Sequence, residues 1–380
     1  HTLTISAESK LFLTSQGVKF GVEICEDVWA PIPPSNHLAL SGADLILNLS
    51  ATDELLGKHK YLKSLLAQQS ARMISGYVYS SCGFGESTQD VVYGGNALIY
   101  ENGTLLAEGE RFSVDSQLVV TQIDVERLRA ERRNNTTFVN AQRAGMLKPN
   151  EELCYAIEQK KPFHIERTIS PCPFIPEDDD LADSCEEVFN IQVMGLAKRL
   201  IHTGCKHVVL GVSGGLDSTL ALLVCVRTFD KLKLDSKGII GVTMPGFGTT
   251  DRTYQNAIHL MEKLNISIRE ISIAKSVTQH FEDIGHDMSV HDITYENGQA
   301  RERTQILMDL SNQVGGFVIG TGDLSELALG WATYNGDHMS MYGVNASVPK
   351  TLIQHLMRFV ATTMSPDIAS ILIDIVNTPI

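Results

Sequence analysis

The sequence predicts an α/β protein with two domains, and two patterns within its 380 residues carry this prediction. In the second half, short apolar strands alternate with longer amphipathic helices, which is typical of a parallel sheet covered by helices on both faces. In the first half, short buried strands, one covering helix and a hairpin signature indicate another layered sheet. At about 100–200 residues per domain, the length allows two domains.

The elements of the first half follow from apolar spacing and turn residues. Apolar side chains recur at helical spacing from Leu62 to Met73. The dipeptide Asn102-Gly103 suits a tight turn with positive φ between two short apolar runs. The predicted strands are Val18–Ile24, Asp44–Leu49, Gly76–Ser81, Asn96–Tyr100, Thr104–Glu108 and Val119–Ile123, and the predicted helices are Gly57–Ile74 and Val125–Arg133.

The middle of the chain loses this periodicity. Five prolines and the acidic run Glu177–Asp180 fall between Asn134 and Cys185, a composition typical of a linker with some local helix. We therefore expect a first domain over residues 1–140, a linker over 141–184 and a second domain over 185–380.

The second half alternates strands and helices, and ligands of such sheets bind at the carboxyl ends of the strands. The predicted strands are His207–Val212, Gly238–Met244, Ile268–Ile273 and Gly316–Gly320. The predicted helices are Ser218–Phe229, Arg252–Leu264, Ala274–Asp283, Gln299–Val314, Lys350–Met364 and Asp367–Ile375.

Charge and composition exclude several classes of protein. Lys and Arg total 31 against 45 Asp and Glu, a formal net charge of −14, so the footprint of a general nucleic-acid binder is lacking. No apolar run approaches the ~20 residues that span a bilayer. The seven cysteines are scattered without a C-x-x-C pair, which indicates a reducing compartment. We expect a cytoplasmic homo-oligomer that binds neither nucleic acid nor a membrane.

A glycine-rich loop lies where a predicted strand ends and a helix begins, and its core over residues 213–218 reads Ser-Gly-Gly-Leu-Asp-Ser. The glycines let the backbone approach a phosphate, and the helix N-terminus favours the anion. Asp217 offers an oxygen suited to Mg²⁺. The loop is neither a Walker nor a dinucleotide motif. It resembles the loop of the ATP pyrophosphatases, which binds the β,γ-diphosphate of ATP and forms an adenylate; a plain turn that caps a helix is the alternative.

A second turn, from Thr321 to Trp331, follows the last predicted strand. Glu326 on this turn is a candidate second carboxylate for Mg²⁺, facing Asp217 across the strand ends. Taken alone, Asp323 and Glu326 in the first turn of a helix are simply favourable partners of the helix dipole. Both interpretations are open at this point.

Three segments around this turn carry a narrower resemblance: Tyr295–Arg303, Gly320–Asp337 and Val348–Thr351. They resemble the NAD synthetases, in the glutamine-dependent two-domain form, and the resemblance covers nearly the whole chain. It implies a Rossmann-like ATP-pyrophosphatase domain in which Asp217 and Glu326 hold Mg²⁺. The implied ATP-binding residues are Gly211, Val212, Ser213, Gly214, Gly215, Leu216, Asp217, Ser218, Thr321 and Lys350. The residues implied to bind nicotinic acid adenine dinucleotide are Asn297, Arg301, Glu326, Trp331, Ala332, Thr333 and Tyr334.

Cys25 lies directly after a predicted buried strand, beside two acidic residues. Such a cysteine is commonly inert, because thiolate chemistry needs a lowered pKa or a nearby base. Its segment, with residues 31–35 and 48–51, resembles the nucleophile elbow of the nitrilase superfamily and the glutaminase domain of the same synthetases. This implies a partial nitrilase-like αββα sandwich in which Cys25 forms a glutamyl thioester and releases ammonia. Thr52 and Lys58 would contact glutamine, where serine and arginine are more usual.

The first half departs from the nitrilase pattern in one respect. Those amidases also need a Glu base and a Lys that precede the nucleophile by more residues than this chain has, and Lys10, Lys19, Glu8 and Glu23 match no such motif. We therefore expect a chain that begins inside the glutaminase domain and stops before the synthetase domain ends. We also expect the Cys25 thiol to titrate near its ordinary pKa of ~8.5, and NAD formation to use ammonium rather than glutamine.

The leading hypothesis is an ATP-dependent carbon–nitrogen ligase that converts nicotinic acid adenine dinucleotide to NAD, AMP and pyrophosphate. Two alternatives stay open. Another ATP-pyrophosphatase, acting on GMP, asparagine or tRNA chemistry, would keep the loop, but the acidic charge disfavours tRNA and the segments of Asn297 and Trp331 disfavour the others. A catalytically inactive oligomerisation scaffold would have no ATP binding.

Overall fold

A computed structural model describes residues 9–86, 91–144, 150–153, 164–176, 180–247 and 251–378. The chain divides into two units, His1–Ile169 and Ser170–Ile380. The boundary between them lies inside the 141–184 segment that the sequence predicts as a linker, and most of the acidic run in that segment lies outside the described residues. No helix in the described ranges combines the length and the apolar character that a membrane crossing requires.

The first unit is built on one seven-stranded mixed sheet with the order β6-β5-β4-β3-β2-β1-β7. Strands β2, β3 and β4 run parallel, whereas β1, β5 and β6 pair antiparallel with the preceding or following strand. The strands are β1 Lys10–Leu13, β2 Lys19–Ile24, β3 Leu45–Ser50, β4 Gly76–Ser81, β5 Ala97–Glu101, β6 Thr104–Glu108 and β7 Asn150–Leu153.

Four helices accompany this sheet: α1 Pro34–Leu40, α2 Lys58–Met73, α3 Val125–Asn134 and α4 Thr136–Arg143. Helices α1 and α2 cover one sheet face, where Leu38 and Leu66 pack with Ile46, Tyr77 and Tyr79 in a single buried cluster. This buried cluster holds the two helices on the sheet, because the burial of large apolar side chains is the main stabilising contribution in such a layer.

The predicted strand over Val119–Ile123 is wrong, since the segment has no place in the sheet. The segment meets residues 164–166 through a side chain instead of a strand ladder: Gln122 Nε2 donates to His164 O at 2.6 Å, and Gln122 Oε1 accepts from Glu166 N at 2.9 Å. The apolar character of the segment serves packing, because Ile123 joins the cluster of Leu128. Strands β1 and β7 and helix α1 were not predicted.

The second unit contains a five-stranded parallel sheet with the order β10-β9-β8-β11-β12. Its strands are β8 Val208–Gly211, β9 Ile239–Thr243, β10 Ser267–Glu270, β11 Phe317–Gly320 and β12 Tyr342–Gly343. Its helices are α5 Leu181–Thr203, α6 Leu216–Leu232, α7 Asp251–Lys263, α8 Ala274–Ile284, α9 Ile293–Val314, α10 Leu324–Leu329, α11 Lys350–Thr363 and α12 Pro366–Val376.

Both faces of this sheet carry buried cores, which confirms the predicted α/β class. The larger cluster joins α5, α6, α11 and α12, with Leu220 and Leu356 among its fully buried members. A smaller cluster packs Leu310 of α9 against Val209 and Val242. Helix α9 starts earlier than predicted because Asp292 Oδ1 accepts hydrogen bonds from the Thr294 and Tyr295 amides and so caps it. Helix α5 was not predicted.

Candidate active sites

The glycine-rich loop connects β8 to α6, at the carboxyl end of a central strand. Gly214 has φ +82°, and a Cβ there would lie 2.1 Å from Thr253 O, so only glycine fits. Hydroxyl groups hold the loop in shape: Ser213 Oγ lies 3.1 Å from Ser218 Oγ, and Gly215 N donates to Ser213 Oγ at 3.3 Å. The loop thus presents the first turn of α6, with its free amides, to the strand ends.

Three carboxylates and one ammonium group meet beside this loop. One oxygen each from Asp217, Asp323 and Glu326 lies within 4.8 Å of the others. Lys350 Nζ is 2.5 Å from Asp217 Oδ2, 2.9 Å from Asp323 Oδ2 and 3.3 Å from Glu326 Oε1. The predicted ATP and metal residues that follow β8 and β11 are therefore brought together with Lys350 at the start of α11, because parallel strands deliver their carboxyl ends to one sheet edge.

Burial sets the electrostatics of this cluster. Burial raises the pKa of Asp217 and of Glu326 above the ordinary carboxyl range, although Lys350 opposes the shift in both. Burial alone would lower the pKa of Lys350, but its hydrogen bonds to Asp217 and Asp323 outweigh that and raise it. The three carboxylates exceed the single ammonium in charge, so the site favours a further cation.

Two observations indicate that this donor set fits Mg²⁺. The ligands are all carboxylate oxygens, the type that this cation prefers. Asp217 Oδ1 is buried and has no hydrogen-bond partner among the described residues, and a buried acceptor left without a partner is costly. The sequence did not nominate Asp323, which is fully buried. The signal for Asp323 in the sequence was a capping box: Asp323 precedes Glu326 by three residues, in the turn that follows β11.

A buried amide pair, also missed from the sequence, joins the two halves of this site. Asn345 Nδ2 donates to Asp217 O at 2.9 Å and to Thr321 O at 3.0 Å. Gln192 Nε2, from α5, donates to Asn345 Oδ1 at 3.0 Å and to Val344 O at 2.9 Å, which fixes the orientation of the Asn345 amide. The backbone after β8 and the backbone after β11 are thus tied to one side chain.

The residues expected to bind the dinucleotide lie on α9 and on the turn after α10. Arg301 Nε donates to Tyr334 O at 3.1 Å, which ties the helix to the turn. Trp331 N donates to Glu326 O at 2.9 Å, so the turn continues directly from the carboxylate cluster. Trp331 is 80% exposed and Tyr334 72% exposed, and both rings are open to a ligand. Asn297 is buried.

Two residues of this turn, Ala332 and Thr333, set its shape. Thr333 Oγ1 accepts from Asp337 N at 3.1 Å. A Cβ on Gly336 would lie 2.4 Å from Thr333 Oγ1, which explains the glycine there. Ala332 N bonds Gly330 O at 3.0 Å.

In the first unit, Cys25 opens the 3₁₀ turn Cys25–Trp29 directly after β2, with φ +50°. This conformation is uncommon for a residue with a side chain and is a form of strain found at functional sites. Its sulfur faces the end of β3: Cys25 Sγ lies 3.9 Å from Thr52 Oγ1. Thr52 Oγ1 is itself 2.8 Å from Ser50 Oγ and 2.9 Å from Tyr79 Oη.

The Cys25 thiol does not keep its ordinary pKa, contrary to the expectation from the sequence. Burial raises the pKa, but hydrogen bonds from the Ser50 side chain, the Ala51 backbone and the Thr52 side chain together outweigh it, so the pKa is lowered. These donors come from β3 and the residues after it, which no spacing in the sequence joins to the cysteine. By contrast, burial raises the pKa of the Cys82 thiol.

The two residues expected to contact glutamine differ in their surroundings. Thr52 is 8% exposed and engaged by other hydroxyl groups. Lys58 Nζ lies 2.7 Å from Asp53 Oδ1 and 5.8 Å from the centroid of the Trp29 ring. Glu23 is buried, and its carboxylate accepts hydrogen bonds from Tyr77 Oη and from Ser35 N. Its two oxygens therefore tie β2 to β4 and to α1.

Comparisons with known proteins match the two units separately. The carbon-nitrogen hydrolase family model matches residues 4–133, and the NAD synthase family model matches residues 188–368. The chain is 43% identical over 353 residues to the glutamine-dependent NAD(+) synthetase of Mycobacterium leprae, an alignment that covers 90% of this chain and 52% of that protein. The corresponding enzyme of Thermotoga maritima is 29% identical over 361 residues, covering 93% of this chain and 58% of the relative.

The chain therefore spans between about half and three-fifths of the length of these curated relatives. Among solved structures, the glutamine-dependent NAD+ synthetase from Acinetobacter baumannii, in complex with adenosine diphosphate, aligns with a TM-score of 0.48 and 23% identity. That alignment covers 97% of this chain and 61% of the other.

Proposed function

We propose that the chain acts as a glutamine-dependent NAD synthetase. The premise is that residues 188–368 belong to the NAD synthase family and residues 4–133 to the carbon-nitrogen hydrolase family. In the second unit, the nicotinate carboxylate of nicotinic acid adenine dinucleotide attacks the α-phosphorus of ATP. The bond to the β-phosphate oxygen breaks and pyrophosphate leaves. Ammonia then attacks the acyl carbon, loses a proton and displaces AMP, which gives the amide of NAD.

The loop after β8 is suited to the phosphate end of ATP. The backbone amide of Gly214, the first turn of α6 and the hydroxyls of Ser213 and Ser218 would supply donors to phosphate oxygens. Lys350 adds a positive charge at the same edge. Because these donors are held by hydrogen bonds within the loop, they stabilise developing charge without rearranging.

Asp217, Asp323 and Glu326 would hold Mg²⁺. When bound, this ion supplies charge neutralisation on the phosphate oxygens. Lys350, now shared among the three carboxylates, would then donate to a phosphate oxygen. Asn297, Arg301 and the turn from Trp331 to Tyr334, with Ala332 and Thr333, would bind the dinucleotide, and the exposed rings of Trp331 and Tyr334 suit stacking on a planar ring.

Cys25 is the proposed nucleophile of the first unit. Its thiolate attacks the side-chain amide carbon of glutamine, the amide nitrogen takes up a proton from solvent, and the carbon–nitrogen bond breaks to release ammonia and leave a glutamyl thioester. Water then attacks the thioester carbon, which releases glutamate and regenerates the Cys25 thiolate. The lowered pKa of the Cys25 thiol supports this role, since the thiolate is the reactive form. Thr52 and Lys58 would contact glutamine. We also propose that the domains are residues 1–140 and 185–380, and that the protein is a cytoplasmic homo-oligomer.

The observation that supports this function most is the carboxylate and lysine cluster at the end of the glycine-rich loop. ATP binding with and without Mg²⁺ is measured first, followed by AMP release with ammonium and one of three acceptors: nicotinic acid adenine dinucleotide, xanthosine monophosphate or aspartate. We expect Mg²⁺-dependent ATP binding and AMP release with the dinucleotide alone. Release with another acceptor would reassign the substrate, and absence of ATP binding would contradict the proposal.

The glutamine half is tested with the same assay. We expect Cys25→Ala to abolish any NAD formation supported by glutamine and to leave formation supported by ammonium unchanged. Loss of both in that variant would show that Cys25 serves the synthetase unit rather than glutamine hydrolysis.

A further inference from the structure

Three hydroxyl groups form a closed triangle next to Cys25. Tyr79 Oη is 2.8 Å from Ser50 Oγ and 2.9 Å from Thr52 Oγ1, and Ser50 Oγ is 2.8 Å from Thr52 Oγ1. Ser50 ends β3, Tyr79 is the fourth residue of β4 and Thr52 follows β3 by two residues. Neighbouring strands of the sheet therefore bring together groups that lie 27 and 29 residues apart.

The triangle is closed to solvent on the tyrosine side. Tyr79 is 1% exposed and packs among the buried residues that α1 and α2 cover. Water therefore cannot reach this position and take over the hydrogen bonds of the Tyr79 hydroxyl. Thr52 is buried too, whereas Cys25 is only partly buried.

The number of hydroxyl protons indicates the order in which the three groups donate hydrogen bonds. Each hydroxyl has one proton, and a phenol is a better donor than an aliphatic hydroxyl. If Tyr79 donates into the triangle, one aliphatic hydroxyl satisfies the other and one aliphatic proton is left over. Among the described residues, the sulfur of Cys25 is an acceptor within reach of that proton, 3.9 Å from Thr52 Oγ1. A chain of this kind strengthens each of its bonds by polarisation.

We propose that Tyr79 is a positioning residue for Cys25, which holds the Ser50 and Thr52 hydroxyls so that a proton of this pair points at the sulfur. In this arrangement Thr52 also acts on the nucleophile, in addition to its proposed contact with glutamine. Hydrogen bonds from both hydroxyls already contribute to the lowered pKa of the thiol. That this arrangement assists catalysis rests on the proposed function, in which Cys25 forms a thioester. The arrangement of the hydroxyl groups does not depend on that function.

Several other titratable groups lie near the Cys25 sulfur. Glu26 and Asp27 share its 3₁₀ turn, and the Asp27 carboxylate is occupied by Ile24 N at 2.7 Å. Cys82, after β4, interacts electrostatically with Cys25. The Asp53–Lys58 pair follows Thr52. None of these contacts Tyr79 among the described residues, so a change at Tyr79 reports on the triangle.

The test is the pH–rate profile for alkylation of Cys25 by iodoacetamide, followed by mass spectrometry of the Cys25 peptide in the full chain. We expect Tyr79→Phe to move the midpoint of the profile upward by about half a pH unit, which slows labelling at pH 7 by about threefold. The rate at high pH, where the thiol is ionised in both proteins, should not fall. Thr52→Val should give a shift at least as large, and Thr52→Ser, which keeps the hydroxyl, should restore the original profile.

Tyr100→Phe is the matched control, because Tyr100 is a buried tyrosine of the same cluster whose hydroxyl does not contact the triangle. Its midpoint should equal that of the unchanged protein. An unchanged midpoint in Tyr79→Phe, or equal shifts in Tyr79→Phe and Tyr100→Phe, overturns the proposal. If Tyr79→Phe does not fold, the Thr52→Val and Thr52→Ser pair decides in the same way. Absence of glutamine hydrolysis with an intact midpoint shift would reject the proposed function and leave this inference standing.

Discussion

Lys350 offsets part of the negative charge of the carboxylate cluster, since it contacts all three carboxylates. Asp217 is the member whose second oxygen lacks a partner among the described residues. Asp217→Asn keeps the size of the side chain and removes one anionic ligand. We expect Mg²⁺-dependent ATP binding to weaken by about tenfold or more, because carboxylates are the strongest ligands for this ion. Calorimetric titration at several Mg²⁺ concentrations measures this.

The control for this substitution is Asp230→Asn, near the far end of the same helix α6. Its ATP affinity should be that of the unchanged protein. If both variants bind ATP equally well and with the same dependence on Mg²⁺, Asp217 is not a metal ligand.

The two cysteines of the first unit should differ in reactivity. The lowered pKa of Cys25 leaves more thiolate at pH 7 than an ordinary thiol has, and the raised pKa of Cys82 leaves less. Alkylation at pH 7 should therefore modify Cys25 before Cys82, and the selectivity should decline as the pH rises and both thiols ionise. Peptide mass spectrometry over time measures both rates. Equal rates at pH 7 would contradict the hydrogen bonding described for Cys25.

For single residues, the sequence predicted those that lie within contiguous motifs. It missed those that join the site from distant positions in the chain. Asp217, Glu326 and Lys350 were nominated, and the structure brings them into contact, although their roles are still predictions. Asn345 and Gln192 join the site from positions 153 residues apart. Pairings of this kind leave no local pattern, because they arise only when strands and helices have packed.

Among the elements, the turn from β8 into α6 is the most constrained by its backbone. An alanine at Gly214 would have an unfavourable positive φ and a Cβ against Thr253 O. We expect Gly214→Ala to lower the free energy of unfolding by about 2 kcal/mol or more. Gly215 has negative φ, and its added Cβ would meet only Ser213 Oγ at 3.5 Å. Urea denaturation should show a change within about 1 kcal/mol for Gly215→Ala, and equal losses in the two variants would reject the steric argument.

Helix α6 was predicted well because eleven of its residues are buried and most of them form one long apolar run. The longer helix α5 and the short edge strands β7 and β12 were not predicted. Strand β12 has two residues, too few for any alternation to show. The segment over Val119–Ile123 has the composition of a strand, but its Gln122 carbonyl accepts a hydrogen bond from the Arg167 side chain rather than from a neighbouring strand. Pairing of strands is a tertiary property, so composition alone does not determine it.

For the whole molecule, the predicted α/β class is confirmed, and each buried cluster draws its residues from one unit. This leads to a prediction about cooperativity. Leu356→Ala removes a fully buried side chain of the second unit, and we expect a loss of about 2–5 kcal/mol in the unfolding of that unit. The protein has two tryptophans, Trp29 in the first unit and Trp331 in the second. With Trp331→Phe as background, fluorescence of Trp29 should show an unchanged transition in urea while circular dichroism shows an earlier one.

Leu327→Ala, at a position that is 54% exposed, is the control and should leave both transitions in place. An equal shift of the Trp29 transition in Leu356→Ala would show that the two units unfold as one.

The amide of Asn345 has a consequence for how a cation would be selected. Because the Asn345 side chain bonds the backbone of both Asp217 and Thr321, the spacing of the two backbone segments that carry the carboxylates is set when the protein folds and not when a ligand arrives. The entropic cost of assembling the site is then borne by folding, which leaves more of the intrinsic interaction energy for binding. A frame of fixed width also favours ions of one radius, since a larger ion would have to stretch two hydrogen bonds that Gln192 holds in register. Discrimination between Mg²⁺ and Ca²⁺ would then originate in two amides that touch neither ion.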